Sequence, residues 1–360
     1  MATEAPEKHR EPGVPPLLQL SAAWAWRLLV VLALITMIGI LARRLELALL
    51  PLLTAILLTG LLQPVNRGLQ RLNLGRGLSA TLTMLLAIAV LGGVGVYVVN
   101  RAVAGYPELV TQLSALITRT QDWLVTGPLH LDRASVTGVG DKLSNYLKDR
   151  QGTVVSGAVS AGRTILDVLT DLVLTFFLTI FLLYDGRKIF LWLTGAVPRT
   201  SRAKVDEVGD RMWETVSGYV SGTFLVATFH GLVMGVTLAA VGVPLVAPLA
   251  VLIFIGGFIP LIGVVVFGGL AVLVTLVAKG TTAGLIVLIV LLVENQIESH
   301  VLQPFVVGRH VSLHPMAIAL TLACGAILAG IPGAIFGVPL VAALNAAGKA
   351  LRGEPAADPV

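Results

Sequence analysis

The sequence predicts an all-α, polytopic membrane protein, and three observations support that fold class. Hydrophobic residues make up 56% of the 360-residue chain and charged residues only 12%, unlike the mixture found in soluble globular domains. Several uninterrupted apolar runs are long enough to cross a hydrocarbon core of ~30 Å at about 1.5 Å per residue. No alternating barrel pattern is present, so helices are the structures expected to satisfy the backbone within lipid.

Eight apolar segments are predicted to form a membrane domain over residues 24–345. The sixth and eighth segments are too long for one untilted crossing and are interrupted by Gly and Pro. The eight segments cover approximately 24–42, 45–62, 77–99, 164–184, 219–241, 246–277, 281–303 and 313–345.

Four further segments are expected to lie outside the bilayer. Residues 1–23 are Pro-rich and mixed in charge, which is typical of a disordered tail, and residues 346–360 form a second tail. Residues 100–163 carry an apolar stripe at helical spacing, and 185–218 form a charged loop. The stripe is expected to pack on the protein's own spans or on a neighbouring subunit of a homo-oligomer, with the lipid surface as the alternative.

The distribution of Lys and Arg predicts the orientation. With the N-terminus inside, most of these residues lie in the predicted cytoplasmic segments, whereas the short outer loops hold few. The cytoplasmic segments are the two tails, residues 63–76, residues 185–218 and Lys279. Both termini are therefore predicted to be cytoplasmic. The net charge of +5 then reflects this bias and the anionic inner leaflet, and no basic, aromatic-rich patch indicates nucleic-acid binding.

The fourth span is predicted to end at Asp185 and Gly186. Gly suits a helix C-terminus, and the basic pair that follows suits the inner surface of the membrane. The charges of the 185–218 loop are interpreted as those of a solvated helix.

Two regions combine Gly and Pro at membrane depth, at 242–269 and 325–339. Transporters use such breaks to line a cavity, so the break at Pro260 and Gly263 is either a site-lining element or a packing device. The GxxxG pairs, such as Gly231/Gly235 and Gly333/Gly337, are expected to let helices approach closely.

A polar block in the seventh span is where function is expected. An acidic residue at the bilayer centre costs ~2.5–3.5 kcal/mol, so Glu294 is expected to be used. Glu298 lies four residues later on the same helix face, which favours a captured proton or cation. Asn295, Gln296 and His300 extend the polar arc. The alternative is a buried polar network that only holds helices together.

Four stretches in the C-terminal half resemble the autoinducer-2 exporter family of bacterial permeases. They are FLLYDGRK (Phe181–Lys188), the GVP to FIPLIG stretch (Gly242–Gly263), the EN to QPFVVGRHVSLHP block (Glu294–Pro315) and GIPGAIFGVPLVAAL (Gly330–Leu344). The resemblance implies these motif positions: Pro260, Gly263, Glu294, Asn295, Pro304, Gly308, His314, Pro315, Gly333 and Pro339. Of these, His314 is expected to join the residues that bind substrate or ion, whereas Asp185 and Gly186 are expected to be structural.

The sequence lacks the motifs of ATP-driven pumps and of common hydrolases, which restricts the mechanisms to be considered. No GxxxxGK[ST] loop is present, which argues against ATP-driven pumping by this chain, and neither HExxH nor GxSxG occurs. Cys324 is the one cysteine, so an intrachain disulfide is impossible. We expect no cofactor and no metal site.

The resemblance implies a permease of the bacterial inner membrane that exports a small polar metabolite such as a furanone-type signalling molecule. The paired carboxylates suit a monovalent cation/proton antiporter equally well. A non-transporting membrane scaffold or a lipid-modifying enzyme are alternatives from other classes, and we expect the chain not to be an enzyme.

Overall fold

A computed structural model describes residues 16–126, 171–260, 263–307 and 313–354. All regular elements within these residues are helical, which confirms the all-α prediction. Clustering of contacts divides the chain into two units, Met1–Leu50 and Pro51–Val360. The first unit contains helix α1 (Pro16–Arg44), which begins upstream of the predicted span. Its large apolar side chains, such as Trp26 and Leu28, are exposed, as expected for a helix surrounded by lipid.

Within the described ranges, eight further α-helices follow α1, and a π-helical segment adjoins two of them. Five helices of the described residues are long and apolar enough to cross a membrane, and shorter apolar helices accompany them, as expected for a multi-pass protein. The helices are α2 (Glu46–Arg71), α3 (Arg76–Thr126), α4 (171–193), α5 (Arg199–Val241), α6 (Val246–Gly256), α7 (Gly269–Lys279), α8 (Thr281–Ile297) and α9 (Pro315–Arg352). The π-helical segments are Val264–Gly268 before α7 and Glu298–Val307 after α8.

Helix α5 is the centre of the second unit, because it packs against α6, α8 and α9. Met234 and Leu238 of α5 join a core with side chains of α6, α7 and α8. Tyr219 and Val220 join a second core with α9. Helix association in lipid depends on close packing, and the predicted role of the GxxxG pair is confirmed here: a Cβ added at Gly235 would lie 3.2 Å from the Cβ of Ala250 on α6.

The segment 246–277, which the sequence shows to be long for one untilted crossing and broken by Gly and Pro, turns back on itself in the structure. The backbones of Gly256 and Gly263 touch, so a Cβ on Gly263 would collide with Gly256. Residues seven positions apart in a continuous helix lie about 10 Å apart, so this contact requires a reversal. Pro260 lies in the turn. The residues at the two ends of this segment also lie close together. A Cβ added at Gly242, just before α6, would lie 3.7 Å from Nζ of Lys279, the last residue of α7.

The segment 313–345, the second that is long and broken by Gly and Pro, also reverses direction. Ala329 and Gly330 leave the helical conformation, and Gly330 has a φ of 61°, which suits glycine. The backbones of Gly325 and Gly333 then touch, so α9 consists of two antiparallel halves. A hydropathy pattern cannot distinguish a crossing from such a hairpin, because both bury apolar residues.

Helix α4 does not end at Asp185 and Gly186 as predicted, but continues to residue 193. Two interactions with α5 hold the extension in place. Arg187 forms an ion pair with Asp210, and the ring of Phe190 occupies the space that a side chain at position 209 would need. Most of the predicted 185–218 loop is therefore helical.

The segment 100–163, predicted to lie outside the membrane, is described only in part. Helix α3 continues to Thr126, which agrees with the helical spacing of its apolar stripe. The packing of that stripe and the second amphipathic stretch at 141–150 lie outside the described residues.

The first hairpin changes the predicted topology in a testable way. The sequence prediction placed Lys279 inside, and the structure places Gly242, at the end of α5, beside it. In a Cys324→Ser background, we expect Ala240→Cys and Lys279→Cys to react with a membrane-impermeant thiol reagent from the same side. Ser201→Cys, at the opposite end of α5, should react from the other side. Reaction of Lys279→Cys and Ser201→Cys from the same side would mean that the segment 246–277 crosses the membrane once, which would contradict the hairpin.

The glycine contact in the first hairpin gives a prediction for stability. Gly263→Ala is expected to lower the thermal unfolding temperature in detergent, because the new methyl group collides with the Gly256 backbone and overpacking costs about 1–3 kcal/mol. Gly269→Ala is the matched control, since a Cβ there meets nothing within 4 Å and its φ of −59° suits any residue. Equal melting temperatures for the two variants would contradict the reversal.

Candidate functional site

His230 connects two helices in the interior of the second unit. Its side chain is fully buried on α5 and faces α8. The Nδ1 atom lies 2.7 Å from Oε1 of Glu294, and the Nε2 atom lies 2.9 Å from Oε2 of Glu298. Each ring nitrogen of the imidazole therefore faces a different carboxylate. We call these three residues the His–Glu cluster.

Glu294 is the more deeply buried of the two carboxylates in this cluster, with 1% of its side chain exposed. It lies about 20 Å along α8 from Thr281, which places it deep in the apolar region. Its contact with His230 Nδ1 is an ion pair that lacks hydrogen-bond geometry, and neither carboxylate oxygen has a hydrogen-bond partner among the described residues. A buried polar group without hydrogen bonds is costly, so it needs an explanation.

Glu298 lies one turn further along and is 16% exposed. It begins the ten-residue π-helical segment Glu298–Val307. Long π-helical stretches are rare, and π-turns are frequent at functional sites. The helical geometry changes at Glu298, four residues after Glu294, and the two carboxylates lie against the two nitrogen atoms of one imidazole ring.

The charges of the His–Glu cluster determine what it can do chemically. An imidazolium between two carboxylates leaves one net negative charge in a region of low dielectric constant. One added proton, or one monovalent cation, would neutralise it. The structure thus brings together Glu294 and Glu298, as the sequence predicted, and adds a partner from a different helix.

The rest of the predicted polar arc does not reach this cluster. Asn295, Gln296 and His300 are exposed on the described chain. Their contacts are local: Ser299 Oγ donates to the Asn295 carbonyl, and His300 Nδ1 lies 3.0 Å from the Gln296 carbonyl oxygen. Their predicted binding role is untested by this geometry.

The other predicted positions shape helix ends and turns. Pro260 and Gly263 form the turn of the first hairpin, and Gly333 forms the close contact of the second. His314 caps α9, because its Nδ1 accepts a hydrogen bond of 3.2 Å from the Met316 amide, and Pro315 is the first residue of that helix.

The remaining motif positions are placed as follows. Pro339 is buried in the second half of α9, while Pro304 lies in the π-helical segment. Asp185 and Gly186 are half-buried on α4. Gly308 lies outside the described residues.

Sequence reasoning missed His230, although a signal was available. The apolar run 219–241 contains one His and no Asp, Glu, Lys or Arg, and such polar residues within membrane segments are rare and tend to be functional. Its distance of more than sixty positions from Glu294 conceals the pairing. Among the described residues, no group of three or more His, Cys, Asp or Glu side chains has the arrangement of a metal site.

Comparison with known proteins supports a transport role. A candidate transport protein of Mycobacterium tuberculosis (strain CDC 1551 / Oshkosh) is 42% identical over 347 residues, which are 96% of this chain and 95% of that protein. A candidate transport protein of Bacillus subtilis (strain 168) is 27% identical and covers 82% of this chain and 84% of its own length.

A third relative has a more specific name. It is a sodium-lithium/proton antiporter of Halobacillus andaensis, 24% identical over 83% of this chain and 89% of that protein. Residues 27–353 of the chain match the family described as AI-2E family transporter. This match covers nearly the whole chain and confirms the resemblance seen in the sequence motifs, so the chain belongs to the AI-2E family of transporters.

Proposed function

We propose that this member of a transporter family is a proton-coupled secondary transporter that exports a small polar metabolite of the autoinducer-2 type. The observation that carries the coupling is the buried His–Glu cluster, in which His230 lies between Glu294 and Glu298. The metabolite class is inferred from the family, whereas the coupling to protons is inferred from the geometry of the His–Glu cluster.

The electrostatics of the cluster favour exchange of one proton. Among the described residues, the charged groups in contact with His230 are Glu294 and Glu298, and the charged group in contact with Glu294 is His230. Burial makes the net negative charge unfavourable, so protonation is favoured when the site is closed. Contact with water or with cargo would favour release of the proton. Coupling then arises because the occupied and empty forms differ in charge.

Energy from an ion gradient agrees with the sequence, since the chain contains no phosphate-binding loop for ATP. Two hairpins supply irregular backbone, with the turn at residues 257–260 half-buried and Ala329 and Gly330 of the second turn exposed. We propose that they shape the cargo path, with Pro260 and Gly263 in one turn and Gly333 beside the other.

Monovalent cation/proton antiport is the second candidate. The single net negative charge of the cluster would accept either a proton or a cation, and competition between the two is sufficient for antiport. The name of the Halobacillus relative favours this possibility. A cation would need a rearranged ligand set, because the described residues hold no ready metal-binding group.

We also propose the cellular arrangement predicted from the sequence: a bacterial inner-membrane protein with both termini in the cytoplasm, working as a homo-oligomer. The bias of Lys and Arg supports the orientation, and the apolar stripe of residues 100–163 supports the subunit contact.

Proteoliposomes containing the purified protein and an internal pH dye test the proposal. Addition of an autoinducer-2-type furanone across an imposed pH gradient should move protons at a rate above that of protein-free liposomes. Proton movement that requires Na⁺ or Li⁺ instead would favour the second candidate. Transport of the furanone that leaves internal pH unchanged would rule out proton coupling.

A further inference from the structure

A cavity lies away from the His–Glu cluster, between helices α2, α4 and α5. Its volume is about 730 Å³, within the ~300–1,000 Å³ typical of small-molecule sites. Trp213 of its wall and His230 both lie on α5, about 25 Å apart along the helix axis at about 1.5 Å per residue. We call it the arginine pocket, defined by Gln63, Asn66, Arg67, Arg76, Tyr184 and Trp213.

Hydrogen bonds fix the walls of the arginine pocket. Asn66 is 3% exposed, and its Nδ2 donates to the Leu183 carbonyl at 3.3 Å. The Asn66 side-chain oxygen accepts a hydrogen bond from Ser79 Oγ, which connects α2 to α3. Trp213 Nε1 donates to Gln63 Oε1 at 3.3 Å, which connects α5 to α2. The cavity is therefore formed before any ligand arrives, which lowers the entropic cost of binding.

The charges of the pocket do not balance. Two of its cations have partners within the wall: Arg187 pairs with Asp210, and Lys188 Nζ lies 2.7 Å from Asp185 Oδ1. Arg67 and Arg76 have no carboxylate partner among the described residues. The wall therefore presents two uncompensated guanidinium groups.

We propose that the arginine pocket binds a small organic anion, with a phosphate or carboxylate held by Arg67 and Arg76. Guanidinium groups match the geometry of these anions and form charge-assisted hydrogen bonds with them. The rings of Tyr184 and Trp213 lie in the same wall and suit a flat apolar body. The proposal concerns binding and does not depend on proton coupling at His230.

Arg67 and Arg76 also contribute to the predicted positive-inside bias, so a control must separate the two roles. Arg71 provides it. This residue lies in the last turn of α2, between the two in sequence, carries the same charge and does not line the pocket. Arg67, Arg71 and Arg76 are all exposed, so replacing any of them should leave the fold intact.

Phenyl phosphate is a suitable probe, because it combines an anion with a flat ring. We expect it to bind full-length protein in phosphatidylcholine nanodiscs, measured by titration calorimetry, more tightly than phenol or inorganic phosphate. Arg67→Gln and Arg76→Gln should each weaken binding about tenfold or more, the value of one lost charge-assisted interaction. Arg71→Gln should bind like the wild type, and Trp213→Phe should weaken binding less than either pocket arginine variant.

Three results would overturn the proposal. The first is equal weakening by Arg71→Gln, which would indicate a general effect of surface charge. The second is the absence of phenyl phosphate binding to the wild-type protein. The third is loss of wild-type binding in nanodiscs that contain phosphatidylglycerol, which would assign the pocket to a lipid headgroup.

Discussion

Glu294→Gln is expected to abolish the pH dependence of transport while leaving a folded protein in the membrane. Gln keeps the size of the side chain but removes the negative charge that faces His230 Nδ1 at 2.7 Å. With that charge gone, His230 and Glu298 form a neutral pair, and the site no longer has a negative charge for a proton to neutralise. Proton movement in proteoliposomes should fall at least tenfold, measured with an internal pH dye.

Two comparisons sharpen this result. Glu298→Gln should have the milder effect, because Glu298 is more exposed than Glu294. Glu214→Gln removes the same charge from an exposed position on α5 and should transport like the wild type. Normal, pH-dependent transport by Glu294→Gln would leave Glu294 with a purely structural role, as a polar contact that holds α8 against α5.

The sequence predicted one half of the site because that half is local. Glu294 and Glu298 are four positions apart, and helical spacing places them on one face of α8. Their partner His230 comes from α5, and only tertiary packing determines that α5 lies against α8. The apolar run around Glu294 identified this residue as a charge that is costly to bury. The run could not identify His230, the group that compensates the charge.

The same limit applies to the fold. Apolar runs predicted the helical class and most helix positions, because lipid requires the backbone to be satisfied within helices. Hydropathy could not predict the two reversals, since the contacts between Gly256 and Gly263 and between Gly325 and Gly333 depend on backbone geometry. The sequence did single out both regions as rich in Gly and Pro.

The arginine pocket shows why charge alone is a weak predictor of a site. Arg67 and Arg76 contributed to the predicted orientation of the protein, and nothing in their spacing indicated a cavity. The ion pairs that neutralise Arg187 and Lys188 join residues of α4 and α5 or of α4 itself, and become visible only when those helices are in place.

His230→Gln is expected to have the largest effect on stability. It removes the positive charge that lies between Glu294 and Glu298, so both carboxylates lose the cation of the His–Glu cluster. Removing one partner of a buried ion pair typically costs about 3–5 kcal/mol, and transport should be lost with it. The thermal unfolding temperature in detergent should drop most at high pH, where both carboxylates are charged, and should recover as the pH falls, because protonation removes their repulsion.

The double variant His230→Gln/Glu294→Gln separates this electrostatic effect from a simple loss of packing. It removes the second carboxylate's charge together with the imidazolium, so its unfolding temperature should exceed that of His230→Gln alone and should depend less on pH. A purely steric role for His230 predicts instead that both variants are destabilised equally at every pH. If His230→Gln and the double variant have equal melting temperatures at every pH between 5 and 9, the charge argument is disproved. The basis for placing a proton in the cluster is then lost as well.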